Sequence, residues 1–296
     1  MKKAILLYNK QAGRGRVEYN LDSVLTLFAD AGYSIEPCHI EFGKNPFDGY
    51  ENIDLVVVAG GDGTLNYVVN AMMHKRLRID IGVLPAGTAN DFAGAIGMDR
   101  DIVKAARQII QSPVEEIDCG RVEHMEHHND VDDIYFVNIF SFGIFTTTSQ
   151  HTPERLKHRV GRFAYVLEGL RELKDVHGIP LTITTDDEAF YYPTLMGLVL
   201  NGETAGRVPL ARKSSLRDGL FDCLFLKHRK LHFLSVIDML LYLVGIRTGA
   251  VRFLRTSELM LVTPISEATD VDGQHGGKFP LRLSCIRGAL RVRCPL

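Results

Sequence analysis

Residues 55–66, Leu55-Val56-Val57-Val58-Ala59-Gly60-Gly61-Asp62-Gly63-Thr64-Leu65-Asn66, join two different periodicities. The unbroken apolar run Leu55–Ala59 reads as a strand buried on both faces. Leu65, Val68, Val69 and Met72 then recur at helical spacing. Three glycines and one acid therefore stand where a strand hands over to a helix. Glycine lets the backbone turn sharply and approach a ligand closely, because it has no Cβ. A helix start offers unpaired N–H groups and the positive end of a dipole, which suits phosphate. An aspartate there repels phosphate unless a cation or a moving proton stands between them. That combination points to phosphoryl transfer.

The pattern on either side of this stretch is of one kind. Ala4–Tyr8 and Ile81–Leu84 read as further strands, and Tyr19–Ala31, Leu65–His74 and Asp101–Gln111 as helices. Such alternation predicts an α/β domain on a parallel sheet over residues 1–122, with its ligand crevice at the carboxyl ends of the strands. Beyond it the pattern changes. Asp133–Phe142, Pro180–Thr185, Thr194–Leu200, Phe221–Leu226, Glu258–Val262 and Leu281–Ile286 are short, rich in β-formers and bounded by turn residues. Helical spacing interrupts them at Gly161–Lys174 and Leu231–Gly245. A mostly β sandwich domain is expected over 123–288, with the closing segment 289–296 a candidate to return to the first domain.

Composition narrows the classes. Of 296 residues, 46% are apolar and 24% charged, which supports a sizeable core. A net charge of -2 excludes a wholly basic nucleic-acid binder. Five cysteines without a CxxC pair argue against a disulfide framework or structural zinc and for reduced thiols. The apolar run after Met1-Lys2-Lys3 is too short for a signal peptide. The longest apolar segment, Phe233–Ile246, is broken by Ser235 and Asp238 and is shorter than the roughly 20 residues of a membrane span. His124, His127 and His128 beside Asp130, Asp132 and Asp133 read as a polar loop tip rather than a metal site.

Two further turns resemble the first. Asn9-Lys10-Gln11-Ala12-Gly13 follows the first strand, and Pro85-Ala86-Gly87-Thr88-Ala89-Asn90-Asp91 follows the strand at Ile81–Leu84. Each alone is an ordinary βα turn. Together they converge on one sheet edge and bring amide, hydroxyl, basic and acidic groups to it. No GxxxxGK[ST] sequence is present, and no GxGxxG follows a strand, so neither a Walker loop nor a dinucleotide fingerprint is expected.

These residues carry a family resemblance. Asn9–Gly13 (family NPxSG), Gly60–Asn66 (GGDGTxN), Leu84–Ala93 (LPxGTxNDFA), Lys157–Tyr165, Asn201–Asp222, Asp272-Gly273 and the closing Pro280-Leu281…Gly288-Ala289-Leu290…Pro295 keep order and spacing over nearly the whole chain. The chain resembles the bacterial lipid kinases of the diacylglycerol kinase and sphingosine kinase superfamily, in the soluble branch of YegS-like and BmrU-like proteins. GGDGT is shared with NAD kinases; the second turn and the late Asp-Gly pair make the likeness specific.

The resemblance implies a nucleotide-binding α/β domain of the NAD kinase and diacylglycerol kinase kind, a β-sandwich domain, and a cleft between them. ATP phosphates would lie on Asn9, Lys10, Gln11, Ala12 and Gly13, on Gly60, Gly61, Asp62, Gly63, Thr64, Leu65 and Asn66, and on Gly87, Thr88, Asn90 and Asp91. Mg2+ carried by ATP would be helped by Asp62, Asp91 and Asp118, and a structural Mg2+ would sit on Ser215, Asp218 and the carbonyl of Leu220. The family's DGE motif supplies the catalytic base. Here Gln274 holds the glutamate position, and an amide does not take up a proton at neutral pH. Asp272 thus becomes the candidate base, with Asp62 in the metal and phosphate network.

The expected activity is ATP- and Mg2+-dependent phosphorylation of a lipid alcohol, diacylglycerol foremost. The alternatives are an NAD kinase-like enzyme, or a lipid- or nucleotide-sensing paralogue impaired by Gln274. A cytoplasmic protein in transient peripheral contact with the inner face of the membrane follows, with a homodimer left open and no nucleic-acid partner. Lys157, His158, Arg159 and Arg162 are a candidate headgroup contact, and Arg14 and Arg16 flank the first turn.

Overall fold

The computed structural model describes residues 1–10, 15–125, 132–144, 177–202, 204–205, 208–209 and 214–295. The first part of the chain runs β1 (Lys2–Tyr8), α1 (Arg16–Asp30), β2 (Tyr33–His39), β3 (Leu55–Gly60), α2 (Asp62–His74), β4 (Asp80–Pro85), α3 (Asp91–Ala95), α4 (Ile102–Gln111) and β5 (Val114–His124). β1 pairs in parallel with β2 on one side and β3 on the other, and β3 pairs in parallel with β4. Val56, Val57 and Val58 are fully covered, as their apolar run requires. Val68, Val69 and Met72 of α2 close one face of this sheet, and Ile102, Ala105, Ala106 and Ile109 of α4 belong to the same core. Asp101 caps α4, its carboxylate accepting from the backbone N–H of Lys104.

The remainder is mostly β: β6 (Ile134–Phe136), β7 (Ile139–Gly143), β8 (Ile179–Thr185), β9 (Ala189–Leu200), β10 (Thr204–Ala205), β11 (Val208–Pro209), β12 (Phe221–Lys227), β13 (Val251–Thr256), β14 (Glu258–Val262), β15 (Thr269–Val271), β16 (Gln274–His275) and β17 (Leu281–Arg293). Among the described residues one helix, α5 (His232–Leu243), interrupts these strands. Antiparallel strands enclose an aromatic core of Phe136, Phe140, Phe142, Phe221 and Phe225. The Phe136 and Phe221 rings stack 5.4 Å apart. An α/β domain with parallel strands is thus followed by a mostly β domain.

β17 belongs to both parts. Its first half pairs with β14, its whole length with β5, and its end, Arg291–Val292, runs parallel to β4. Arg291 and Arg293 lock that end through Asp80, at 2.8 and 3.1 Å.

The expected strand Asp133–Phe142 is in fact two. It breaks at Val137-Asn138 because three successive N–H groups there turn to one buried carboxylate. Leu281–Ile286 extends to Arg293 for the reason just given. β2, β5 and β13 lacked a strand signal. β2 is an edge with Pro37 in it, and β13 carries Arg252 and Arg255, so neither shows a run of apolar residues. The helix expected at Gly161–Lys174 and the basic cluster at Lys157–Arg162 lie outside the described residues.

Candidate active site

The strand order reverses between β1 and β3, since the chain crosses back over β1 after forming β2. In an open parallel sheet this reversal opens a crevice at the carboxyl ends. The ends are level there: Tyr8 pairs with Ala59, and Gly60 with Pro85. The N–H of Asn9 donates to the carbonyl of Ala59 at 3.2 Å, and Lys10 is exposed beside it. Gln11, Ala12 and Gly13 lie outside the described residues.

Two glycine turns interlock at this edge. The Gly60 carbonyl accepts from the N–H groups of Ala86 at 2.9 Å and Gly87 at 3.2 Å. A Cβ on Gly61 would stand 3.1 Å from the Gly87 Cα, and a Cβ on Gly87 would strike the Gly61 Cα. Only two residues without side chains can pass this closely. Asn90, at a positive φ of 54°, braces the second turn: its Oδ1 accepts from Gly87 N–H at 2.8 Å and its Nδ2 donates to Gly87 C=O at 2.9 Å. α2 starts at Asp62 with no side-chain cap on Gly61, so its first turn is left for a ligand.

Not every residue of the motif faces that ligand. Leu65 is in the core. Thr64 is buried and fills the space beneath Gly60, where any Cβ would meet it. Asn66 is buried behind the turn, where its Nδ2 donates to the Tyr135 carbonyl at 2.8 Å and to Asp272 at 2.9 Å. The side chains of Thr64, Leu65 and Asn66 therefore build the turn rather than line it. Asp62 accepts from Phe92 N–H at 3.1 Å, and Asn138 Nδ2 lies 3.5 Å from the same oxygen. Burial raises its carboxyl above the ordinary range, and the charge of Asp91 pushes the same way. The backbone N–H groups of Phe92, Asp91 and Asn90 hold that rise back, so this carboxylate ties the start of α2 to the second glycine turn.

The late Asp-Gly pair is the turn of the β15–β16 hairpin, with Asp270 opposite His275 and Val271 opposite Gln274. Both turn residues have positive φ, 50° at Asp272 and 86° at Gly273, as a two-residue hairpin turn of this type demands. The hairpin reaches the glycine turn of the other domain: Gln274 Nε2 donates to the Gly63 carbonyl at 3.3 Å.

Asp272 is not placed as a free base. Its Oδ1 accepts from the N–H groups of Asn138 at 3.0 Å and Ile139 at 2.9 Å. Its Oδ2 accepts from Val137 N–H at 2.8 Å and Asn66 Nδ2 at 2.9 Å. Four donors fill the lone pairs of an ionised carboxylate. Burial lifts its pKa to about 6, and these donors hold it from rising further. The expected base is a clamp that joins the hairpin, the β6–β7 break and α2. Asp118 is likewise corrected. It is fully buried, with one oxygen on Gly219 N–H at 2.6 Å and the other on Gly288 N–H at 2.8 Å.

Ser215, Asp218 and Leu220 share one turn, but they do not fit a divalent ion as they stand. Asp218 Oδ1 accepts from Leu220 N–H at 3.1 Å, and Oδ2 carries the guanidinium of Arg255 at 2.5 Å. Arg255 also pairs with the buried Asp222 at 2.9 Å. The cation of this turn is an arginine.

A cavity of about 730 Å3 opens between the two parts of the molecule. Asn90, Asp91 and Arg100 line it from the first, and Ser214, Ser215 and Arg217 from the second. Asn138, Arg100, Arg217 and Arg255 were not singled out from the sequence. None of them carried a sequence signal of its place, since the groups that Asn138, Arg217 and Arg255 meet lie far away in the chain.

The geometry can be set beside known proteins. Residues 3–122 match the diacylglycerol kinase catalytic domain, and residues 138–294 the YegS C-terminal NAD kinase beta sandwich-like domain. A diacylglycerol kinase of Bacillus subtilis is 32% identical over 95% of this chain and 92% of its own length. One from Staphylococcus saprophyticus is 31% identical over 99% of this chain and 96% of its own. A diacylglycerol kinase crystal structure from Bacillus anthracis superposes with a TM-score of 0.74 at 20% identity, covering 99% of this chain and 97% of that one. Yeast NADH kinase complexed with NADH shares the fold more distantly, with a TM-score of 0.54 at 12% identity over 98% and 82% of the two chains.

Proposed function

The chain belongs to the diacylglycerol kinase family and is a lipid kinase, and from that premise we propose that it transfers the γ-phosphoryl group of ATP, carried with Mg2+, to the free hydroxyl of diacylglycerol. One observation carries the reading. Three segments far apart in sequence, the turns at Gly61 and Gly87 and the hairpin residue Gln274, meet at the first turn of α2. The phosphates would rest on that turn and on the backbone of Gly61, Gly63, Gly87 and Thr88. Asp62 and Asp91 would hold the metal, which neutralises charge on the phosphates and aligns the γ-phosphate. The acceptor hydroxyl would approach between the two domains, on the hairpin side. The loose transition state of phosphoryl transfer needs positioning more than deprotonation, so a site whose nearest buried carboxylate serves as a clamp is not thereby disabled.

The test is phosphate transfer from labelled ATP to dispersed diacylglycerol, with NAD as the control acceptor. Phosphatidic acid is the expected product. Formation of NADP without any phosphorylated lipid would refute the reading. Asp62→Ala should lower turnover by about 10²-fold or more with the melting temperature kept; unchanged turnover removes Asp62 from the proposed site.

The second reading, a sensor without catalysis, has Gln274 in its favour. If the native protein phosphorylates no lipid and Gln274→Glu does, the sensor reading replaces the kinase one.

A further inference from the structure

The face of α5 turned away from the protein is apolar. Its inner side, through Met239 and Tyr242, packs on a cluster that includes Leu198, Leu200, Leu224 and Leu226. Ile237, Leu240 and Val244 follow at i, i+3 and i+7 on the other side, so they form one stripe. Leu231 and Ile246 extend it at the two ends, and these five side chains are between 40% and 70% exposed. Phe253 pairs with Leu224, whose side chain belongs to the cluster under α5. Directly paired residues share a sheet face, so Phe253, also exposed, widens the patch.

The rim of this patch is basic. Between residues 227 and 255 stand Lys227, Arg229, Lys230, Arg247, Arg252 and Arg255 against the single acid Asp238, in a chain of net charge -2. Arg229, Arg252 and Arg255 are neutralised by Asp238, Glu188 and the Asp218–Asp222 pair. Lys227, Lys230 and Arg247 are exposed and have no ion pair among the described residues. Lys230 precedes the helix and Arg247 follows it, so cationic side chains flank both ends of the stripe.

We infer that α5 and its flanking turns dock in the plane of an anionic lipid bilayer. At 12 residues the helix is about 18 Å long, too short to span a bilayer but suited to lie within its interface. The stripe would enter the acyl boundary, while the flanking Lys and Arg reach the phosphate level on their flexible stems. The charge also selects against a second copy as the cover. A two-fold contact through this patch would set one basic rim against another. The inference rests on the proposed kinase reading for its purpose, because a diacylglycerol substrate resides in a bilayer.

The experiment is co-sedimentation of the full chain, without ATP, with vesicles of roughly one-third phosphatidylglycerol in phosphatidylcholine, and with pure phosphatidylcholine vesicles. Binding to the first set and little to the second is expected. Ile237→Asp with Leu240→Asp should weaken that binding about tenfold or more. Phosphorylation of a short-chain diacylglycerol in solution should stay unchanged in the same variant, since these side chains face solvent opposite the packed side of α5 and none of them lines the cavity at Asn90 and Asp91. Lys227→Glu with Lys230→Glu should weaken binding and remove its salt dependence, with the melting temperature retained. The inference is overturned if the wild type ignores anionic vesicles, or if the aspartate variant binds them equally well. It is also overturned if that variant merely turns a dimer into a monomer on a sizing column. Turnover of the short-chain substrate without vesicle binding would end this inference and leave the kinase reading intact. Vesicle binding sensitive to both variants, with no lipid phosphorylated, would support the surface while the kinase reading fails.

Discussion

A carboxylate that accepts four N–H bonds has no lone pair left for a substrate, and Asp272 is in that state. A clamp and a base respond differently to the same substitution. An amide at 272 offers one accepting oxygen and turns an NH2 towards donors. Asp272→Asn should therefore lower stability by about 2–4 kcal/mol, seen as a shift in the urea midpoint. A base would lose turnover and keep its midpoint; that result would restore Asp272 to catalysis. The pH dependence follows from the same burial. The folded pKa is about 6 against an ordinary 3.8, so the folded protein holds this proton more tightly than the unfolded chain. Stability that is present below 3.8 is lost as pH rises to about 6, and the margin of the wild type over Asp272→Asn should narrow across that window. A margin that widens there would instead show that the four N–H donors outweigh burial and hold the folded carboxylate ionised.

At the scale of elements, the glycines divide into those the fold requires and those a ligand would require. Gly60 and Gly87 have no room for a Cβ, whereas a Cβ on Gly63 would meet only Gln274 Nε2 at 3.5 Å, an ordinary contact. Gly63 also lies in the first turn of α2 at a helical φ, where alanine is favoured by up to about 1 kcal/mol. Gly63→Ala should keep or raise the melting temperature, yet raise the KM for ATP about tenfold or more, because its methyl enters the phosphate space. An unchanged KM would show that phosphate does not approach Gly63. The turn at Ser215–Leu220 gives a second test. Removing Arg255 strands Asp222, which is buried and whose second oxygen has no hydrogen bond among the described residues. Discounted for the exposure of the guanidinium, Arg255→Ala should cost about 1–3 kcal/mol. A chelator should leave the wild-type melting temperature unchanged; a fall on chelation would return a metal to this turn. Elements of this kind were unevenly legible in the sequence. The strands at Leu55 and Ile81 announced themselves by apolar runs, and the glycine turns by composition. The break at Asn138 and the Arg255 pairing did not, because each is imposed by a partner dozens of residues away or more.

For the whole molecule, the two-part division was readable from the change in periodicity near residue 120, and the closing segment 289–296 was a candidate to return to the first domain, but its continuity with Leu281–Ile286 in one strand was not readable. Leu281–Ile286 looked like one short strand; its continuation, Arg287–Arg293, has no apolar run, since it alternates and carries the arginines that hold Asp80. Ending the chain at Ile286 should expose the free edge of β4 and yield insoluble protein, whereas replacing Arg291 alone with Lys should leave it soluble and about 1 kcal/mol less stable. A soluble, cooperatively melting product from the shortened gene would show that β4 manages without its neighbour. β17 has a further consequence in time. It is translated after every other described element, yet it completes the sheets of both parts. A ribosome still short of residue 281 holds a chain whose β14, β5 and β4 all lack this neighbour. Nascent chains of this protein should thus depend on chaperones until synthesis passes Arg293.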